Sequence, residues 1–226
     1  MALLELNHYV LAPIGSGKGI GAFQFVLNEG DIYFVNAGMA DDANLFLRAL
    51  ATLIRPERGT YEFKGERLDF SDYRNLLPYK RRIAYVSPYS RFISNRTLLD
   101  NLLLIPSYFE NATSQTLPAP MMEMCRQFQI EDQLCLRPAQ VDPESLRLAV
   151  IVRELSKEPE FIVVDGLRDF LGYRKFHLVV EVLQKALQTG RPLVFSAADG
   201  EFAKKYRNKE IVIADRMLTV KDNLHS

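Results

Sequence analysis

With 226 residues, the chain is long enough to bury a sizeable core and fits one compact α/β domain with a smaller lobe. Its 28 basic and 28 acidic side chains cancel, so no overall charge draws it to nucleic acid or anionic lipid, and a nucleic-acid partner is not expected. Apolar residues at 48% and charged residues at 25% are those of an ordinary globular protein and exclude a disordered or fibrous one.

In chain order, Leu3–Leu11, Ala22–Leu27 and Asp31–Asn36 read as strands. Turns at Gly15-Ser16-Gly17-Lys18-Gly19 and Asn28-Glu29-Gly30 separate them. Apolar periodicity predicts a helix from about Asn44 to Ile54, ended by Pro56 and Gly59. Thr60–Phe63, Lys64-Gly65 and Glu66–Leu68 read as a small hairpin, and Ile83–Val86 as a short buried strand. Residues 97–157 carry helical patterns, broken by a loop at 106–120 rich in Ser, Thr, Asn and Pro. Phe161–Val164 is wholly apolar and of strand length, the mark of a central parallel strand. An amphipathic helix, Gly172–Gln188, leads through Thr189-Gly190 to another buried strand, Leu193–Ser196. Ile211–Ile213 and Met217–Val220 close the chain. This alternation, with a strand-rich start and a helical insertion, implies an α/β fold: a mainly parallel sheet with two small lobes.

Cys125 and Cys135 form no C-x-x-C pair and no disulfide framework, so both are expected as reduced thiols in a cytosolic protein. The first residues show no signal-like segment, and no stretch approaches the roughly 18 apolar residues of a membrane span. Any membrane role is therefore expected to come through a partner. His8, His177 and His225 show no ligand spacing and are expected to be structural or solvated. The basic run Lys80–Arg82 reads as solvated surface, with a partner contact as the alternative.

Ala12-Pro-Ile-Gly-Ser-Gly-Lys-Gly19 is close to the phosphate loop G-x-x-x-x-G-K-[ST]. Such a loop needs a buried strand before it and a helix after it, whose N-terminus completes the anion site. Here Ile20–Leu27 is short and β-like, and Gly19 stands where a hydroxyl would hold Mg²⁺. An exposed hairpin turn is expected; a phosphate site at Gly15–Gly19 using Lys18 is the alternative.

Gly30-Asp31-Ile-Tyr-Phe-Val-Asn36 and Leu45-Phe-Leu-Arg-Ala-Leu-Ala-Thr-Leu-Ile-Arg-Pro-Glu-Arg-Gly59 resemble the strand G-E-I-x-A-L-V and the helix and turn T-L-L-R-L-L-A-G-L-L-R-P-D-S-G of the ATP-binding subunits of ABC transporters. The family phosphate loop, G-x-S-G-S-G-K-S-T, should lie between them. Ala37-Gly38-Met39-Ala40-Asp41-Asp42-Ala43-Asn44-Leu45 stands there. The resemblance puts Ala43 at the lysine, and Asn44 and Leu45 at the Ser/Thr positions. Asp41 and Asp42 would repel a triphosphate and are expected to cap a helix starting near Ala43.

Further landmarks keep family order. Residues 82–101 resemble the Q-loop region, with Pro88 in place of the glutamine. Val141-Asp142-Pro143-Glu144-Ser145 stands for the signature L-S-G-G-Q, and also reads as a good helix start with Asp at N-cap and Pro at N1. Phe161–Asp165 resembles the Walker B strand, with Gly166 at the catalytic glutamate and Ala197 at the switch histidine. Ala12-Pro13 stands near the adenine-stacking aromatic. Asp165 alone keeps its chemistry. It would hold Mg²⁺ weakly through water, or simply end a buried strand. Tyr89, Phe92, Ile93, Leu98 and Leu99 either form the groove that receives a membrane subunit or belong to the core of the helical lobe.

The resemblance implies a P-loop NTPase-like α/β fold with an N-terminal antiparallel β lobe and a helical lobe. It also implies one domain over 1–226, with core and β lobe at about 1–85 plus 158–226 and the helical lobe at about 90–157. The functional expectation is a pseudo-ATPase acting as scaffold or regulator on a transmembrane permease subunit. It would sit in the cytoplasm at the inner face of the membrane, as a homodimer or paired with a competent ATPase subunit. No cofactor is expected. Mg-ATP would be used if the alternative of a weakly active ATPase holds.

Overall fold

The computed structural model describes residues 2–110, 116–166, 173–196 and 200–222. The first strand, β1 (Leu4–Leu11), pairs antiparallel with β2 (Ile20–Leu27). Alternate residues point inward: Leu4, Leu6, Tyr9 and Leu11 on β1, and Ile20, Phe23, Phe25 and Leu27 on β2. A bulge with His8 at φ 50° shifts the register so that Tyr9, not His8, faces inward. β3 (Ile32–Ala37) leads into α1 (Ala40–Leu50). β4 (Arg58–Phe63) and β5 (Glu66–Arg67) extend the first sheet, whose order is β2-β1-β4-β5.

A 3-10 turn at Tyr73–Leu76 and α2 (Leu77–Arg81) precede β6 (Ile83–Val86). Next come α3 (Leu98–Glu110), α4 (Ala119–Gln127) and α5 (Pro143–Leu155). β7 (Phe161–Val164), α6 (Tyr173–Gln188), β8 (Leu193–Ser196) and α7 (Gly200–Tyr206) follow, and β9 (Lys209–Ala214) and β10 (Met217–Asp222) complete the order. The second sheet runs β10-β9-β3-β8-β7-β6. Its pairs are parallel except β9 with β10. Every residue of β7 and β8 is buried, as expected for strands covered on both faces.

α1 lies between the two sheets. Phe46 on α1 meets Phe23 and Phe25 of β2 at ring-centroid distances of 6.0 and 5.3 Å, while the helix also packs on β3, β7 and β8. A second apolar cluster, with Leu98, Leu102, Phe128, Leu148 and Val152 at its centre, joins α3, α4 and α5 to the other face of the parallel sheet.

Several expected boundaries move. α1 starts at Ala40, not Asn44, because Gly38 N–H donates to Ile213 O at 3.0 Å and the chain turns at once from β3 into the helix. It ends at Leu50, not Ile54. Leu53 N–H donates to Arg48 O at 2.9 Å and Thr52 N–H to Ala49 O at 3.0 Å, with Thr52 at φ 58°. That is the left-handed two-bond helix end usually built on glycine, and a threonine in the role hid it. α3 also runs through Pro106 into the expected loop. α2 and α7 had no counterpart in the sequence reading.

Candidate functional site

The β3–α1 junction and the β1–β2 loop face each other. Asp41 and Asp42 occupy the first turn of α1, but neither caps it: the N-cap is Met39, with no side-chain bond. Instead they accept from the loop. Ser16 donates both its N–H and its hydroxyl to Asp41 Oδ2 at 2.7 Å. Gly19 N–H donates to Asp42 Oδ1 at 2.9 Å. A Cβ added to Gly15 would stand 2.5 Å from Asp41 Oδ2, and one on Gly17 would stand 2.5 Å from Asp42 Oδ1. Glycine is what lets the loop come this close. The Ser16 hydroxyl, then its amide, hold the Asp41 carboxyl below its ordinary range.

Residues 12–19 thus form a turn between antiparallel strands, with no helix at Gly19. Its Ser16 and Gly19 amides serve protein carboxylates, and Lys18 pairs with Asp215 at 2.8 Å. The alternative of a phosphate site there is corrected on this geometry: the donors a phosphate needs are engaged, and two carboxylates stand where it would sit. The Mg-ATP that the resemblance implies does not fit the α1 N-terminus for the same reason. Ala43, which the resemblance puts at the lysine position, is buried against the core and supplies no charge.

Asp165, buried at the end of β7, joins three elements. Asn44 Nδ2 on α1 donates to its Oδ2 at 2.6 Å, and Ser196 Oγ at the end of β8 donates to its Oδ1 at 3.0 Å. Gly166 N–H in turn donates to Ser196 Oγ at 2.8 Å. Both carboxylate oxygens are held by neutral donors within the fold. Gly166 has φ 61°, in the left-handed region where a side chain is strained. Among the described residues no cluster of three or more His, Cys, Asp or Glu could hold a metal. Ala197 and His225 lie outside the described residues.

Where the resemblance puts the signature, Asp142 is the N-cap of α5: its carboxylate accepts from Ser145 N–H at 2.9 Å, with Pro143 next. Ser145 is fully buried; its hydroxyl accepts from Lys175 at 3.2 Å and from Gln133 at 3.4 Å. One oxygen of Glu144 is buried without a partner. Val141 is buried as well. The Ser145 hydroxyl, its amide and the charge of Lys175 together hold the Asp142 carboxyl below its usual range, against the opposing effect of burial. We expect Asp142→Ala to lower stability by about 1 kcal/mol at neutral pH. A depressed folded-state pKa means the contribution is complete above the unfolded value of about 3.9 and disappears as pH falls through the folded one. Urea midpoints of the two proteins should therefore differ at pH 7 and converge in strong acid.

The expected docking residues divide. Tyr89 and Ile93 are exposed, at 71% and 44%. Phe92 and Leu99 pack partly on the helical cluster, and Arg153 covers the Phe92 ring at 5.0 Å. Leu98 is corrected: it is fully buried in the core and no partner reaches it. Asn101, which the sequence reading did not single out, organises this loop. It accepts from Ile93 N–H at 2.7 Å and donates to Ile93 O at 3.1 Å and Thr97 O at 2.9 Å. The basic run is only partly solvated surface, since Arg82 pairs with Glu160 and lies 4.3 Å over the Phe63 ring. Pro88 O accepts from Arg91 at 2.7 Å. His8 and His177 are exposed. Cys125 is buried, Cys135 exposed, and both are free thiols.

No family model matches the chain. It is 23% identical over 203 residues to a probable amino-acid ABC transporter ATP-binding protein of Haemophilus influenzae, covering 88% of this chain and 78% of that one. It is 22% identical over 191 residues to the methionine import ATP-binding protein MetN 2 of Enterococcus faecalis, covering 83% of this chain but only 55% of that longer protein. A solved structure of an ATP-binding subunit of an ABC transporter superposes with a TM-score of 0.80 at 18% identity, over 98% of this chain and 90% of that one. The architecture is therefore that of an ABC ATPase domain, a P-loop NTPase fold with an antiparallel sheet and a helical part.

Proposed function

We propose that this chain, which belongs to the family of ATP-binding subunits of ABC transporters, acts within it as a pseudo-ATPase: a scaffold or regulator on a transmembrane permease subunit. The observation that carries the reading is the closed contact between Ser16 and Gly19 of the β1–β2 loop and Asp41 and Asp42 of α1. In it the fold's own carboxylates fill the anion position and the loop's donors saturate them. Restoring one residue does not reopen such a site, because the remaining acid, the missing lysine and the hairpin donors act together. A weakly active enzyme is less well supported. It would need a general base and a charge stabiliser, each commonly worth about 10²–10⁴-fold, and Gly166 offers neither. Asp165 is better read as a joint between α1, β7 and β8 than as a metal ligand.

Residues 1–85 and 158–226 then form the core and β lobe, and residues 90–157 the helical lobe, of one domain. The degenerate nucleotide face, Ala37 to Leu45, and the signature position, Val141 to Ser145, become structural joints. Pairing with a competent ATPase subunit would give a damaged site on each side, and a homodimer two sites damaged on both halves, so neither pairing restores a working site. The exposed pair Tyr89 and Ile93 supplies the contact with the permease. Among the described residues no helix is long and apolar enough to cross a membrane, so location at the inner membrane face depends on that contact.

The test is fractionation of the full chain expressed in its native host. The unmodified protein is expected in the membrane fraction, and Tyr89→Asp/Ile93→Asp in the soluble fraction with an unchanged melting curve. An unmodified protein that is entirely soluble, or a double variant that stays with membranes, would overturn the permease reading.

A further inference from the structure

Beside α1, from its first turn at Asp41 to Arg48, lies an open cleft of about 590 Å³. α1 forms one wall through Asn44 and Arg48. The end of β6 and the segment after it form the other, through Tyr85, Ser87 and Tyr89. Its size falls within the range of small-molecule sites, about 300–1,000 Å³.

Two groups in it lack partners. Arg48 is half-buried, yet among the described residues its guanidinium makes no hydrogen bond, ion pair or ring contact. Half-buried arginines normally find an acceptor, because losing water without gaining one is costly. The Tyr85 hydroxyl is buried with no hydrogen-bond partner. Burial first of all pushes its pKa to about 12, so it remains a neutral donor, while Ser87 and Asn44 stand within hydrogen-bonding reach of it and the charges of Asp165 and Arg48 act on it. The N–H donor fork of Arg48 in the cleft, with the enclosed O–H of Tyr85 in its wall, matches the two oxygens of a carboxylate.

Charge and surface narrow the ligand. The cleft offers one cation, Arg48, and one anion, Asp41, whose Oδ2 is already bonded to Ser16. That balance suits a single negative charge and disfavours a polyphosphate. Ile14 and Leu53, with the exposed ring of Tyr89, line the remainder with apolar surface.

We propose that this cleft binds a small monocarboxylate with an apolar or aromatic body, the carboxylate on Arg48 and Tyr85 and the body against Leu53 and Tyr89. The site adjoins the anion position, since Asp41 lines both, but takes its ligand on Arg48 and Tyr85 rather than on the donors of the β1–β2 loop.

The probe is benzoate, titrated into the full chain by NMR, with inorganic phosphate as the comparison. Saturable binding on the order of millimolar is expected for so small a ligand, with amide shifts confined to residues near 14–15, 41–48, 53 and 85–90. Arg48→Met should weaken it about 10-fold or more, and the milder Tyr85→Phe by about 2- to 10-fold. Lys18→Ala, outside the cleft, should change nothing. Three results would each overturn the proposal: no saturation, shifts elsewhere, or affinity indifferent to both cleft variants. Phosphate binding more tightly than benzoate would overturn the assignment of a monocarboxylate.

Discussion

Mg-ATP at about 1 mM is expected to leave the melting temperature of the unmodified chain unchanged, because a site of millimolar or weaker affinity stabilises by less than about 0.5 kcal/mol at that concentration. An intact site with a dissociation constant near 10 μM would instead add about 2.7 kcal/mol. For a chain of this size that corresponds to a rise of roughly 5–10 °C. Three features of the α1 N-terminus underlie the expectation of low affinity. Ala43 supplies no ammonium, and a charge-assisted bond to phosphate is worth about 1.5–3 kcal/mol. Asp42 is nearly buried, and a carboxylate about 4 Å from a phosphate oxygen repels it by about 4 kcal/mol at an effective dielectric near 20. Asp41 is held in its charged form by the two donors of Ser16.

The counterpart is Asp41→Ser/Asp42→Gly/Ala43→Lys. It removes both acids, frees the hairpin donors and returns the cation. Calorimetry should then detect binding that the unmodified chain lacks. Phosphate release should stay at background, since Gly166 at φ 61° carries no carboxylate and is strained by any side chain placed there. Micromolar binding by the unmodified chain would refute the pseudo-ATPase reading, and hydrolysis by the triple variant would show that a base has been overlooked.

Phe46→Ala is expected to cost about 3–5 kcal/mol, the range for deleting a buried aromatic side chain. Phe46 is fully buried, and its ring meets Phe23 and Phe25 edge-on. Such pairs contribute about 0.5–1.5 kcal/mol beyond the area they bury. No side chain nearby can swing in, since the ring is held between the antiparallel sheet and a helix already seated on β3, β7 and β8. Urea unfolding at neutral pH measures the loss. A change below about 1 kcal/mol would mean that the two sheets do not share a core through α1, because even modest cavities in packed cores cost more.

Local pattern was enough for several parts of this molecule. Phe161–Val164 and Leu193–Ser196 are apolar at nearly every position, which only a strand covered on both faces requires, and both are fully buried neighbours in the sheet. Asp142-Pro143 announced a helix start because capping chemistry acts within three residues. The Gly15–Gly19 run announced an exposed hairpin turn, and antiparallel strands flank it. Three-dimensional packing decided what its amides meet. Ser16 and Gly19 find Asp41 and Asp42, 25 and 23 residues away, only because α1 passes beneath the β1–β2 loop, and neither segment carries a periodic signal of that meeting. The end of α1 at Thr52 was hidden because propensity favours glycine there, while two backbone bonds hold the threonine in place. The same holds for Leu98, apolar and near an exposed loop in sequence yet fully buried in the helical cluster. Periodicity reports which face of an element avoids water. Which element covers that face, and which polar groups are thereby paired or left alone, is set by how distant segments cross.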